Sequence, residues 1–231
     1  MARYALDTRL LFNMPTRSQH LIQTNFMKKY TLRLLAILSI SIASCVKDRL
    51  GPASTIIKAP TGDTLMYYWN FNSEDSSQHT PDFGIIAGAR FDYDASYIDF
   101  TVGSSLNIKG TDTAAGQSLR VRNPSTSVTF HMPTTNFDSI RLSFAEQRSG
   151  SGSDQNAIYY TVDGTNFIST AFANNVYTVS TDFELHTFDF TADTNVKHNP
   201  KFAVKIVFTT NNTGISGNDR FDNVSLSGVR K

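Results

Sequence analysis

Most of this chain beyond residue 60 alternates apolar and polar residues with a period of two. Val128, Phe130 and Met132 alternate with Thr129 and His131; Ile140, Leu142 and Phe144 alternate with Ser139, Arg141 and Ser143. Successive side chains of a strand point to opposite faces, so each run predicts a strand with one face in a core and one in water. The pattern returns at Ile158, Tyr160 and Val162, at Phe202, Val204, Ile206 and Phe208, and at Val224 and Leu226. Between Leu185 and Phe188 the apolar phase shifts, which predicts a β-bulge within 183–190.

Turn-forming clusters separate these runs: Asn123-Pro124-Ser125, Pro133 to Asn136, Ser149 to Ser153, Asn199-Pro200 and Asn211 to Gly214. Asp163-Gly164 is the strongest hairpin signal, because both central positions of a type I′ turn take positive φ. No segment carries a sustained helical stripe, and the abundance of Phe, Tyr, Val and Thr favours strands. Eight to eleven short strands with regular turns predict an all-β fold, an antiparallel jelly-roll β-sandwich over residues 65–231.

The N-terminal region follows different rules. Lys28 and Lys29 precede a short apolar run, Leu34 to Ile42, which is well below the roughly 20 residues needed to span a bilayer. This is the pattern of a cleaved secretory signal. Met27 stands where such a signal would begin, so residues 1–26 are set aside as a mis-annotated or disordered extension, and 27–44 are taken as the signal peptide. Ile42-Ala43-Ser44-Cys45 resembles the lipobox of bacterial lipoproteins, which implies cleavage before Cys45 and acylation of that residue. Acyl chains gain about 0.8 kcal/mol per buried methylene, so membrane lipid becomes the expected partner of Cys45. Residues 45–64, with Gly51, Pro52, Pro60 and Gly62, read as a flexible tether. Lys47 and Asp48 resemble the surface-export signal of Bacteroidetes lipoproteins, which implies an outer-membrane address facing the periplasm or the cell surface.

Removing 1–44 takes away six basic residues and one acidic residue, which leaves 15 basic against 19 acidic and a net charge of −4. A mildly acidic domain without a basic run excludes nucleic acid as the main partner. Cys45 is the only cysteine, so neither a disulfide nor a thiolate metal site is available.

Four stretches resemble the jelly-roll modules of secreted and surface proteins of Bacteroidetes. They are Tyr67 to Asn72, Ser118 to Pro124, Tyr160 to Phe167, and Arg220 to Leu226. Those modules are similar to the galactose-binding-like sandwiches that include many carbohydrate-binding modules, and the likeness covers nearly all of 65–231. The resemblance implies a structural Ca²⁺ between the first and last strands, with Asn72, Glu74 and Asp222 as its ligands. Asn72 stands where such modules often carry Glu, and a competing reading has Asp222 pin the last strand. No cofactor is otherwise required.

Catalytic signatures are missing: there is no His-Glu-x-x-His, no Gly-x-Ser-x-Gly and no phosphate-cradling Gly loop. Glu74, Glu146 and Glu184 do not form the alternating carboxylate strand of jelly-roll glucanases, although a three-dimensional carboxylate pair stays open. Sugar rings bind exposed aromatic faces flanked by polar groups. Tyr159, Tyr67, Trp69, Tyr177 and Arg148 are the candidates, with Trp69 also a core candidate because it is in phase with Tyr67 and Phe71. Asp63-Thr64, Asp112-Thr113 and Asp138-Ser139 match an O-glycosylation pattern at Thr64, Thr113 and Ser139. The expected function is a noncatalytic, membrane-anchored glycan-binding or adhesion module. The alternatives are an interaction subunit of a surface protein complex and a glycoside hydrolase.

Overall fold

The computed structural model describes residues 62–94, 98–110, 114–210 and 216–231; Cys45, the signal peptide, nearly all of the tether and Thr113 lie outside them. Twelve strands run through the described residues: β1 Asp63–Trp69, β2 Phe83–Gly84, β3 Arg90–Tyr93, β4 Ile98–Val102, β5 Gln117–Arg122 and β6 Ser127–His131, then β7 Phe137–Arg148, β8 Gln155–Thr161, β9 Val176–Thr178, β10 Glu184–Asp189, β11 Ala203–Phe208 and β12 Asn218–Arg230. Among the described residues no helix is long and apolar enough to cross a membrane.

All pairings are antiparallel, and the strands form two sheets. The five-stranded sheet runs β3-β6-β11-β8-β9. In the seven-stranded sheet, β12 pairs with β7 on one edge, and β10 lies beyond β7. The other edge of β12 is shared end to end: β5 pairs with Asn218 to Phe221, and β1 with Val224 to Val229. β4 extends the sheet beyond β5 and β2 extends it beyond β1. The expected antiparallel sandwich is thus the observed fold.

The alternating residues meet between the sheets. Leu142, Phe144, Leu119, Val121 and Leu226 from the large sheet, and Val128, Phe130, Ile158, Val204 and Ile206 from the small one, are fully buried. Trp69 packs edge-on against Phe130 across the gap, with ring centroids 5.5 Å apart. At the other end Phe190 meets Tyr160 and Phe202 at 5.4 and 5.2 Å. Such tilted and edge-to-face contacts suit the aromatic quadrupole.

Three local expectations need correction. β1 begins at Asp63, so the predicted tether ends two residues early; Arg141 Nη1 holds the Asp63 carboxylate at 2.8 Å and ties the strand's start to β7. β10 pairs with β7 without a register break, so no bulge lies within 184–189. Leu185 simply faces outward, 41% exposed, while Phe188 turns inward onto Phe144. The irregularities fall instead in β1 between Leu65 and Tyr67, and in β12 between Ser227 and Val229 and between Asp222 and Ser225, where Asn223 takes φ +50°. Finally, Asp163-Gly164 does turn the chain, but only Gly164 has positive φ (+85°). The Asp163 carboxylate accepts the backbone N–H groups of Thr165 and Asn166, which makes a wider loop than a two-residue hairpin.

Candidate functional site

Two of the aromatic candidates belong to the core. Tyr67 and Trp69 are 0% and 1% exposed, because period two sends both to the inter-sheet face of β1. The Tyr67 hydroxyl donates to Pro133 O at 2.7 Å and Trp69 Nε1 to His79 O at 3.2 Å, so neither ring offers a face to a ligand. Arg148 is also committed elsewhere. Its Nε donates to Val179 O at 2.9 Å and its Nη1 to Ser149 O and Gly150 O at 3.2 Å, which staples the end of β7 to two neighbouring loops.

Tyr159 behaves as its phase predicts. Its neighbours Ile158 and Tyr160 are fully buried, and Tyr159 itself is half-buried on the outer face of the five-stranded sheet. Register builds a row across that face: Asp92 lies opposite Thr129, Thr129 opposite Lys205, and Lys205 opposite Tyr159. Phe167, in the loop after β8, adds a second partly exposed ring, and Lys205 Nζ sits 4.2 Å from its centroid. One row further along, His131 Nε2 lies 2.9 Å and Arg90 Nε 3.3 Å from Asp92 Oδ2. Partial burial, helped by Arg90 and opposed by Asp92, lowers the His131 pKa, so this imidazole is neutral near pH 7. The face therefore combines two aromatic surfaces with a lysine, a threonine hydroxyl and a fixed carboxylate–imidazole–guanidinium cluster. Tyr159 and Arg148, read together in the sequence, lie on different sheets.

The three calcium candidates gather around one feature of the large sheet. Gly103 N donates to Gly116 O at 3.0 Å, joining the two ends of the β4–β5 connection. Asp222 Oδ2 accepts from Ser104 N at 2.6 Å and Oδ1 from Asn223 N at 2.8 Å. Asn72 Oδ1 accepts from Gln117 N at 2.7 Å, and Glu74 Oε1 from Gln117 Nε2 at 2.8 Å. A Cβ on Gly103 would meet Asp222 Oδ2 and Ala115 O at 2.5 Å and Gln117 O at 2.7 Å, so only glycine fits at this position. The hard oxygens of Asp222, Asn72 and Glu74 suit Ca²⁺, although Glu74 is drawn to Gln117. Asn223 Nδ2 adds bonds to Ser104 O and Leu106 O, and Asn107 Nδ2 returns one to Asn223 O. The Asp222-Asn223 bulge thereby pins the connection over the sheet.

A polar group that the sequence reading missed lies inside the sandwich. Glu146 on β7 and Asp219 on β12 are both fully buried, and Asn156 Nδ2 from the opposite sheet donates to Glu146 Oε1 at 2.8 Å. Tyr177 and His186 close the group, His186 Nε2 standing 3.9 Å from Glu146 Oε2. Burial, and then the Asp219 carboxylate, push the Glu146 pKa well above its usual value. Burial pushes Asp219 up to about 7 and His186 down to about 4. The two carboxyls are closed off from solvent, so they do not form the open pair that glycoside hydrolysis requires. Inward-facing Glu in a strand is a signal that phase alone could have raised, since Glu146 is in step with Leu142 and Phe144.

Of the positions expected to carry O-glycans, Thr64 sits in β1 opposite Gly228 and Ser139 sits within β7 at φ +53°, while Thr113 lies outside the described residues.

No family model and no curated protein matches the chain. Solved structures do. The CBM22-1 xylan-binding domain from Paenibacillus barcinonensis Xyn10C aligns at 9% identity over 74% of this chain and 97% of that one, with a TM-score of 0.44. The K2 cleaved adhesin domain of Lys-gingipain aligns at 10% identity over 72% and 98%, with a TM-score of 0.43. TmCBM61, solved with β-1,4-galactotriose, aligns at 12% identity over 70% and 94%, with a TM-score of 0.37. Carbohydrate-binding modules recur among these neighbours.

Proposed function

We propose that this chain is a noncatalytic glycan-binding module that uses the outer face of its five-stranded sheet. The observation that carries the reading is the row Asp92, Thr129, Lys205 and Tyr159, with Phe167 beside it. Two partly exposed rings offer apolar faces to sugar C–H groups, and the flanking hydroxyl, ammonium and carboxylate can bond sugar hydroxyls and fix orientation. Strands rather than loops hold most of these groups, so little ordering is needed on binding.

Lipid on Cys45 would tether the module at the bacterial envelope, with residues 46–62 as the spacer; the lipobox resemblance supports this part. Calcium enters as a structural ion only. Asn72, Glu74 and Asp222 would supply its side-chain oxygens, and its role would be to brace the β4–β5 connection.

A glycan array probed with the full chain tests the reading. Binding by the wild type, with each of Tyr159→Ala and Phe167→Ala weakening it about fivefold or more, is the expected outcome, since a lost ring contact costs on the order of 1 kcal/mol. No binding to any glycan, with or without calcium, removes the proposal. Binding that both variants retain in full would move the site off this face.

A further inference from the structure

The opposite face of the molecule carries a charge arrangement that glycan binding by Tyr159 leaves unexplained. On the outer face of the seven-stranded sheet, register lines up Asp99 opposite Arg120, Arg120 opposite Arg220, and Arg220 opposite Gln147. Arg122, two residues beyond Arg120 on the same face, lies opposite Asn218. Three guanidiniums therefore share a small area, and Arg120 and Arg122 both hold the same carboxylate, Asp99.

The single carboxylate works hard. Asp99 Oδ1 and Oδ2 take Arg120 Nε and Nη2 at 2.7 and 2.6 Å, and Asp99 Oδ2 also takes Arg122 Nε and Nη2 at 3.1 and 2.9 Å. Arg220 has no carboxylate of its own among these bonds. Its Nε donates to Asn218 Oδ1 and its Nη1 to Gln147 Oε1, both at 3.0 Å. Both partners are neutral, so they orient the guanidinium without balancing it.

Like charges directly opposite on neighbouring strands are destabilising. Guanidinium keeps its proton under all ordinary conditions, so the arrangement cannot relax by titration. Nor is solvent screening complete, because the Arg120 and Arg122 side chains are only 20% exposed. Partial burial, and then Arg120 and Arg122, disfavour the Arg220 charge, with Asp99 opposing. Among the described residues Arg220 is held by neutral amides, and Gln147 occupies a place where Glu would serve. Asp99, Asn218 and Gln147 instead hold three rigid forks in place and leave Arg122 Nη1 and Arg220 Nη2 outside these bonds.

We infer that Arg120, Arg122 and Arg220 form a second binding site, which takes an oxyanion, the carboxylate or sulfate group of an acidic glycan. Both groups present paired oxygens that match guanidinium forks, and the forks are already oriented, so binding needs little reorganisation. An ionic contact of this kind weakens as salt rises.

Calorimetry on the full chain tests this with three probes: oligogalacturonate for the carboxylate, a sulfated chondroitin oligosaccharide for the sulfate ester, and neutral galacto-oligosaccharide as the control. Binding of either acidic probe in the wild type, weakened at least tenfold by Arg220→Gln and again by 0.5 M salt, is expected; which probe binds identifies the group. Gln147→Glu supplies the missing acid and should abolish acidic-probe binding while raising the melting temperature, so loss of the site is separated from loss of the fold. Tyr159→Ala should leave acidic-probe binding unchanged, so failure here is distinguishable from failure of the site on the five-stranded sheet. Absence of binding to both acidic probes, or equal binding by wild type, Arg220→Gln and Gln147→Glu, overturns the inference.

Discussion

Replacing Asp219 by Asn should change the way stability depends on pH, and the size of the change follows from burial. Asp219 is closed off between the sheets, and burial raises its pKa from 3.8 to about 7. A carboxyl whose folded pKa is raised holds its proton more tightly when folded than when unfolded. Its contribution is therefore fully present below about pH 4 and is lost as pH rises through about 7. Roughly three units at about 1.4 kcal/mol each set a ceiling of about 4 kcal/mol on that loss. Asn is isosteric: its carbonyl can keep the bond that Asp219 Oδ2 accepts from Ser153 N at 3.2 Å, and its amide does not titrate. It also removes the negative charge that raises Glu146.

The wild-type curve alone would hide this effect. His186, pushed down to about 4 by burial, is neutral in the fold; its contribution is present above the unfolded value near 6.5 and is lost as pH falls toward 4. The two windows overlap with opposite slopes, so the difference between Asp219→Asn and wild type cancels the His186 contribution and reports the Asp219 carboxyl together with the relief of Glu146. Urea unfolding at pH 4.5, 6 and 8, with m-values checked for constancy, should show the variant near wild type at pH 4.5 and 2–4 kcal/mol more stable at pH 8, a figure scaled from the same shift. Parallel curves across that range, or a variant less stable at pH 8, would refute the account of the buried group.

Three further outcomes are expected. Gly103→Ala places a methyl within 2.7 Å of Asp222 Oδ2 and two carbonyl oxygens, and overpacking of that kind costs about 1–3 kcal/mol, read as a lowered melting temperature. Trp69→Ala empties the contact with Phe130 and should lose about 3–5 kcal/mol by denaturant titration, with glycan affinity unchanged in whatever fraction stays folded. Cys45→Ala expressed in a Gram-negative host should fail to incorporate labelled palmitate and should leave the membrane fraction; a variant still labelled would end the lipid-anchor proposal.

The fold was legible in the sequence where the alternation was strict. Val128 to Met132, Ile140 to Phe144 and Phe202 to Phe208 each bury one face as read, because a one-residue slip would expose a whole apolar set. Phe183 to Phe190 misled, since a phase break in composition need not be a break in register. Leu185 is an apolar residue left on the surface, which costs little and needs no bulge to explain it. Strand order could not be read at all. That β5 and β1 share one edge of β12 depends on contacts far apart in sequence, such as Arg220 with Arg120 and Val224 with Trp69, and no local pattern carries that information.

The same limit explains how the sites were read. Tyr159 could be placed on an outer face from its phase alone. Its neighbours Lys205, Thr129 and Asp92 could not, because they come from three other strands whose adjacency is set by topology. Tyr67 shows the reverse error: aromatic identity suggested a sugar platform, but the hydrophobic gain from burying so large a ring decides its place when phase permits it, and Trp69, whose phase also pointed to the core, is buried as that phase implied. Arg120, Arg122 and Arg220 sit in the very stretches whose likeness to surface modules suggested the fold, and as separate arginines they give no reason for notice. Only pairing brings Arg120 and Arg220 face to face and sets Asp99 beside Arg120. The proposed sites on this sandwich are therefore rows that cross the sheets, whereas the sequence displays columns that run along single strands.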